Sequence, residues 1–122
     1  MPASPLLPQA ANKHVLCISW IPSLGETRGL ILKQAGFDVT SIIGTPNASE
    51  LKRCRPPDLL VLGHSVPQPE KRRIIATFRQ SCDVPVLSLL APHQAKLPEA
   101  DYGIEAHRPE DFVESVREIL LA

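Results

Sequence analysis

The chain has 122 residues and a mass of 13.4 kDa, a length that fits one domain with a single hydrophobic core. Hydrophobic residues make up 43% and charged residues 21%, a composition that excludes a wholly disordered chain. Lys and Arg number 13, as do Asp and Glu, and the formal net charge is zero. This balance argues against a nucleic-acid partner, because phosphate backbones attract proteins with an excess of basic residues.

The start of the chain carries no sign of membrane insertion or export. No run approaches the roughly 18 apolar residues of a membrane span, and the first residues lack the basic and apolar regions of a secretory signal. Cys17, Cys54 and Cys82 are widely spaced and form no CxxC, which favours reduced thiols and a cytoplasmic location. Residues 1–12 contain three prolines and no apolar period, so we expect a flexible tail before one domain at residues 13–122.

The first half of the domain alternates apolar strands with helices. Residues 14–20 form an apolar run typical of a strand that is covered on both faces. Ser23 and Glu26 have the spacing of a capping box at the start of a helix, and Gly36 is expected to end that helix. Residues 37–43 are predicted to form the second strand.

The middle of the chain continues the alternation. Asn47 and Glu50 form a second capping pair for a short helix at residues 47–54. Residues 58–63 are the most strand-like run of the chain. The next predicted helix, residues 70–80, has an apolar stripe and a basic cluster expected on its solvated face; the cluster is Lys71, Arg72 and Arg73.

The last third is predicted to contain two strands, at residues 84–90 and 102–105, and a final helix that begins at Pro109. Two prolines in the segment between the strands leave room for one helical turn at most. Strands that alternate with helices indicate a parallel sheet. We therefore predict a flavodoxin-like α/β three-layer sandwich with strand order 2-1-3-4-5, a shortened or missing fourth helix, and a site at the carboxyl ends of the strands.

Four segments, in the correct order, resemble the receiver domains of response regulators. Residues 57–67, PDLLVLGHSVP, are similar to the third strand and following loop of that family. Residues 35–39, 84–91 and 109–120 are similar to the entry to the second strand, the fourth strand and the last helix. The resemblance implies the receiver fold and a role in two-component signalling and phosphorelay.

Receivers accept a phosphoryl group on an aspartate, beside acids that hold Mg²⁺, a hydroxyl residue and a lysine. In this sequence Ser19 and Trp20 stand at the acid pair, Gly63 at the phosphoacceptor, Leu90 at the hydroxyl and Glu105 at the lysine. The resemblance therefore implies a degenerate receiver, or pseudo-receiver, with no catalytic residue, cofactor or metal. We further predict that the Trp20 ring fills the pocket and that Gly63 makes room for it.

Two alternatives remain open at this stage. His64, His93 and His107 follow parallel strands and, if they converge, would suit Zn²⁺ in a small metal-binding protein or enzyme. His64 or Ser65 is the alternative phosphoacceptor. Cys17 lies inside a strand, without the donor loop of a phosphatase nucleophile, and is predicted to be a buried, inert thiol.

The main functional hypothesis is a non-enzymatic, phosphorylation-independent interaction module in signal transduction. Its expected partner is another protein or a second copy of the chain. No partner among nucleic acids or membranes is predicted.

Overall fold

The computed structural model describes residues 13–53, 56–105 and 108–121, and the predicted tail lies outside these residues. Five parallel strands form one sheet in the order β2-β1-β3-β4-β5, which confirms the predicted topology. The strands are β1 (His14–Ser19), β2 (Asp38–Ile43), β3 (Leu59–Leu62), β4 (Val86–Leu89) and β5 (Tyr102–Ile104).

Helices cover both faces of the sheet. They are α1 (Pro22–Gln34), α2 (Ala48–Arg53), α3 (Gln68–Phe78) and α4 (Pro109–Leu121). One core cluster joins α2 and α3 to the sheet, and the other joins α1 and α4 to the opposite face. The fold is therefore the flavodoxin-like three-layer sandwich. None of the helices in the described residues is long and apolar enough to cross a membrane.

Successive residues of a strand belong alternately to the two core clusters, one on each face of the sheet. In β1, Val15 and Cys17 pack on the α1 and α4 side, whereas Leu16 and Ile18 pack on the α2 and α3 side. This alternation follows from the two-residue period of a strand, and it explains why the central strands β1, β3 and β4 are buried at every position. The same period directs side chains at the carboxyl edge toward one helical layer or the other.

The start of α1 differs from the prediction. The helix begins at Pro22 and its N-cap residue, Ile21, makes no side-chain capping hydrogen bond. The predicted Ser23–Glu26 capping box is therefore wrong: Ser23 lies inside the first turn, and its carbonyl accepts a hydrogen bond from Thr27 Oγ1 at 2.8 Å. Pro22 already supplies a residue with a helical φ and no N–H group to satisfy, so the N-cap is Ile21 and the helix begins two residues earlier than a Ser23 cap requires.

Two other helix termini match the sequence pattern. Gly36 has φ of 102°, a left-handed conformation that glycine adopts without strain, and it follows the last turn of α1. At the start of α2, the Asn47 amide donates to Glu50 Oε1 at 3.1 Å and the Glu50 amide donates to Asn47 Oδ1 at 2.8 Å. The reciprocal pair confirms the predicted cap.

The connection from β4 to β5 contains turns and no helix, as the prolines predicted. Leu97 and Ala100 are buried in the α2 and α3 core, so this segment still contributes apolar surface to the domain. The Lys96 ammonium donates to the carbonyls of Leu97 at 3.1 Å and Ala100 at 2.7 Å. A packed loop therefore takes the place of the fourth helix.

Candidate functional site

Hydrogen bonds connect the residues that follow β1 and β3 at the carboxyl edge of the sheet. The Gly63 amide donates to the Ile18 carbonyl at 2.8 Å, which continues the pairing of the two strands past their ends. Ser65 Oγ accepts from the Trp20 amide at 3.1 Å and lies 3.4 Å from Ser19 Oγ. The predicted positions Ser19 and Gly63 are thus neighbours, as the topology required.

Trp20 does not fill this pocket. Its side chain is 42% exposed, so the prediction of a buried indole plug is wrong. The chain leaves the strand at Ser19 and turns immediately into α1, and the bond from the Trp20 amide to Ser65 accompanies this turn. Strand alternation therefore no longer governs the direction of the indole.

The space beside Gly63 is instead occupied by Arg28 of α1. A Cβ atom added to Gly63 would lie 2.9 Å from Arg28 Nη1, closer than ordinary van der Waals contact. The helix lies near the sheet because Gly25 and Gly29 face the strands; a Cβ at Gly29 would lie 2.9 Å from Ser41 Oγ. Small residues on one helical face thus bring the guanidinium over the end of β3.

The Arg28 guanidinium has one hydrogen-bond acceptor. Its Nη2 donates to His64 Nδ1 at 2.9 Å, whereas Nη1 is buried and has no hydrogen-bond partner. Among the described residues, no carboxylate forms an ion pair with Arg28. Burial lowers the pKa of Arg28 from its ordinary value, but a guanidinium stays charged in proteins.

His64 must be neutral to accept this bond, with its remaining proton on Nε2. Burial lowers the pKa of His64, and the positive charges of Arg28 and Lys71 lower it further. The imidazole is therefore held as a neutral acceptor near neutral pH. A metal cation at Nδ1 would have to displace the guanidinium.

A second cation, Lys71 of α3, enters the same edge from the opposite face of the sheet. Its side chain is fully buried, and its ammonium donates to Ser88 Oγ at 2.9 Å, the Leu89 carbonyl at 2.9 Å and Gln94 Oε1 at 3.5 Å. The expectation that Lys71 belongs to a solvated basic face is wrong. Burial lowers its pKa to about 8, and the charge of Arg28 acts in the same direction.

The other predicted pocket positions lie farther along the sheet edge. Leu90 is half-buried, and its amide donates to the Ile104 carbonyl at 2.7 Å. Glu105 follows β5, two strands away from β3, and is exposed. The hydroxyl that enters the site is that of Ser88, which is buried and bound to Lys71. This hydrogen bond was not foreseen.

The residues present do not fit the Mg²⁺ site of a receiver. Ser19 and Trp20 supply no carboxylate, and Mg²⁺ in proteins is usually held by at least one carboxylate together with water. Arg28 and Lys71 add two positive charges instead. The chemistry available at this edge is therefore hydrogen-bond donation from cations, and it points to anions.

The zinc hypothesis stays a prediction, since His107 lies outside the described residues. Within the described ranges no group of three or more His, Cys, Asp or Glu side chains is placed to hold a metal ion. Cys17 is buried, and burial raises the pKa of its thiol to about 12. The prediction that the thiol is buried is confirmed, and the raised pKa disfavours the thiolate, which is the reactive form.

Sequence reasoning missed both cations, although a signal was present for each. Lys71 precedes Ile74, Ile75 and Phe78 at the spacing i, i+3, i+4 and i+7, so it belongs to the buried stripe of α3. Arg28 likewise shares a helical face with the buried residues of α1, which are Gly25, Gly29 and Leu32. A charged residue within an apolar stripe is the pattern to look for.

Comparisons with known proteins give the fold and no more. A scan against protein-family models and a search of curated proteins find no match. A response regulator receiver domain from Methylobacillus flagellatus has a TM-score of 0.71, with 11% identity over 88% of this chain and 98% of that chain. A receiver protein from Burkholderia phymatum has a TM-score of 0.69, with 17% identity over 89% of this chain and 95% of that chain. For the chemotaxis protein CheY4 from Vibrio cholerae the TM-score is 0.69, with 19% identity and coverages of 88% and 98%. The chain therefore has the fold of a response-regulator receiver domain.

Proposed function

We propose that this chain is a degenerate receiver that acts in signal transduction by binding a protein partner, or a second copy of itself, without accepting a phosphoryl group. The observation that carries the proposal is the position of Arg28. Its guanidinium lies beside Gly63, where the resemblance to receivers calls for an aspartate side chain.

The chemistry of aspartyl phosphorylation supports this reading. Phosphoryl transfer to a side chain needs a nucleophile, which in receivers is the carboxylate of an aspartate. It also needs a metal ion or a fixed cation to neutralise the charge that develops. Gly63 has no side chain, and the hydroxyl of Ser65 is engaged by the Trp20 amide. Of the cations that remain, Lys71 is held by Ser88, Leu89 and Gln94, and Arg28 is bonded to His64 through Nη2 alone.

Exposed apolar side chains support an interaction role. Trp20, Ile21 and Ile43 are each 42% exposed, and we call them the apolar rim. Ile43 ends β2 as the register partner of Ser19, and its Cδ1 would lie 2.6 Å from a Cβ on Gly25. The rim therefore brackets the start of α1, and clustered exposed apolar side chains mark protein-interaction surfaces.

Incubation with acetyl phosphate and Mg²⁺, followed by intact-mass spectrometry, tests the chemical half of the proposal. We expect no phosphoryl adduct, while a receiver that carries the aspartate is labelled in the same tube. An adduct on any residue contradicts the proposal, and peptide mapping would then distinguish His64 from Ser65, the two alternative acceptors.

Capture from a lysate of the host organism, with sedimentation of the purified chain, tests the interaction half. We expect a specific partner or a concentration-dependent dimer. The double variant Trp20→Ser, Ile43→Ser should lose it, while Leu30→Ser, which changes a 59% exposed residue of α1, should retain it. A chain that stays monomeric and captures nothing would contradict the interaction role.

A further inference from the structure

The carboxyl edge carries a guanidinium whose charge has no carboxylate counterpart in the described part of the chain. Arg28 Nη1 is buried and has no acceptor, and the described residues offer Arg28 no ion pair. Buried donors are nearly always satisfied in folded proteins, by protein groups, by ordered water or by an ion. A charged donor without an acceptor has a larger desolvation cost than a neutral one.

We infer that this edge is an oxyanion-binding site, in which Arg28 is the main donor and Ser65 and the neutral His64 line the entrance. The class of ligand is a phosphate or a carboxylate, supplied either as a free ion or by an acidic side chain of a partner. This inference goes beyond the proposed function, since an anion can bind here whether or not the domain docks onto a protein.

The geometry of the two cations supports an anion rather than a neutral ligand. Arg28 reaches the end of β3 from α1, and Lys71 reaches the end of the neighbouring strand β4 from α3, so positive charge comes to adjacent strand ends from both faces of the sheet. A planar guanidinium presents pairs of N–H donors that match carboxylate and phosphate oxygens. Lys71 has three oxygen acceptors of its own, so its contribution is electrostatic.

The residues at the entrance are accessible to solvent in part. Arg28, His64 and Ser65 are each partly exposed, whereas Gly63 and Ser19 behind them are buried. Glu105 is the acid that the resemblance to receivers places in the pocket. It follows β5, and β4 lies between that strand and β3, beside which Arg28 lies. An ordered water would satisfy the Nη1 donor but would leave the charge uncompensated.

Trp20 gives a direct readout of binding. It is the only tryptophan of the chain, and its amide is bonded to Ser65 at the entrance. We expect its fluorescence, and the amide NMR signals of residues 63–65, to change saturably when inorganic phosphate or acetate is added. Sodium chloride at matched ionic strength, which screens charge without offering a bidentate oxyanion, should not reproduce the change.

Variants assign the effect to Arg28. Arg28→Gln should weaken binding at least about tenfold, because a charge-assisted pair is lost, whereas Arg28→Lys should retain part of the affinity. The matched control is Arg72→Gln, which removes the same charge from an exposed arginine of α3 paired with Glu99. Circular dichroism establishes that each variant is folded before its affinity is read.

The two probes distinguish the sources. Saturation with phosphate alone points to a free phosphate-containing ligand, and saturation with acetate points to a carboxylate of a partner; either result supports the inference. It is overturned if neither ion produces a saturable change in the folded wild-type chain, or if Arg28→Gln binds as tightly as the wild type. The phosphoryl-transfer and partner-capture experiments are unaffected by that outcome, so the two proposals fail separately.

Discussion

Lys71 and Arg28 carry positive charge to the same edge of the sheet, but their surroundings differ. The Lys71 ammonium has three hydrogen bonds to oxygen acceptors, whereas the buried Nη1 of Arg28 has none. Lys71 also connects α3 to β4, and its bond to Gln94 connects α3 to the loop that replaces the fourth helix. Gln94 Oε1 also accepts a hydrogen bond from the Ala91 amide of that loop, at 3.0 Å. The comparison indicates that Lys71 has its hydrogen-bonding capacity filled within the fold, whereas Arg28 does not.

The largest expected effect separates the two cations by their contribution to stability. We expect Lys71→Ala to lower the free energy of unfolding by about 3 kcal/mol, because it opens a cavity and leaves buried acceptors without a donor. Arg28→Ala should cost about 1 kcal/mol, since it removes a half-buried charge with one hydrogen bond. Urea denaturation followed by circular dichroism measures both; equal losses, or a larger loss for Arg28→Ala, would break the comparison.

A pH titration sharpens the assignment of Lys71. Its pKa falls from 10.5 in the unfolded chain to about 8 in the folded chain, so between these values the unfolded state binds more protons and stability rises with pH. Wild type should therefore gain about 2 kcal/mol over Lys71→Ala between pH 8 and 9.5.

The comparison with Lys71→Ala is needed because Cys17 acts in the opposite direction. Its thiol has a pKa of about 12 in the folded chain against 9.0 in the unfolded chain, so ionisation of the unfolded thiol lowers stability above pH 9 in both proteins. Urea denaturation of both at several pH values measures the difference. A difference that does not change with pH would contradict the buried, protonated ammonium.

The smallest expected effect concerns the space beside Gly63. Gly63→Ala should cost about 1 to 2 kcal/mol, because its Cβ meets Arg28 Nη1 at 2.9 Å and the Ile18 carbonyl at 3.3 Å. In the Arg28→Ala background we expect about half of that cost, since the Ile18 carbonyl is then the one tight contact and Ser19 Oγ, at 3.5 Å, is at ordinary van der Waals distance. A double-mutant cycle in urea measures the coupling, and purely additive costs would show that the guanidinium does not occupy this space.

The fold could be predicted because it rests on local patterns. The apolar runs of β1, β3 and β4, the Asn47–Glu50 cap and the turn at Gly36 each follow from the chemistry of a few neighbouring residues. Parallel pairing and right-handed crossovers then leave few topologies. The absence of a helix between β4 and β5 likewise followed from two prolines.

The sequence by itself determined that Gly63 lacks a nucleophile, that Ser19 and Trp20 supply no acids, and that the strands carry a receiver-like order. Only the tertiary structure decided what occupies the site, and there Arg28, not Trp20, lies beside Gly63. The physical reason is the length of the side chains, because long flexible side chains from helices on opposite faces extend over the sheet edge. The space available to them depends on how closely each helix packs on the sheet. Gly25 and Gly29 permit the close approach of α1, but the distance itself is fixed only when the layers pack together.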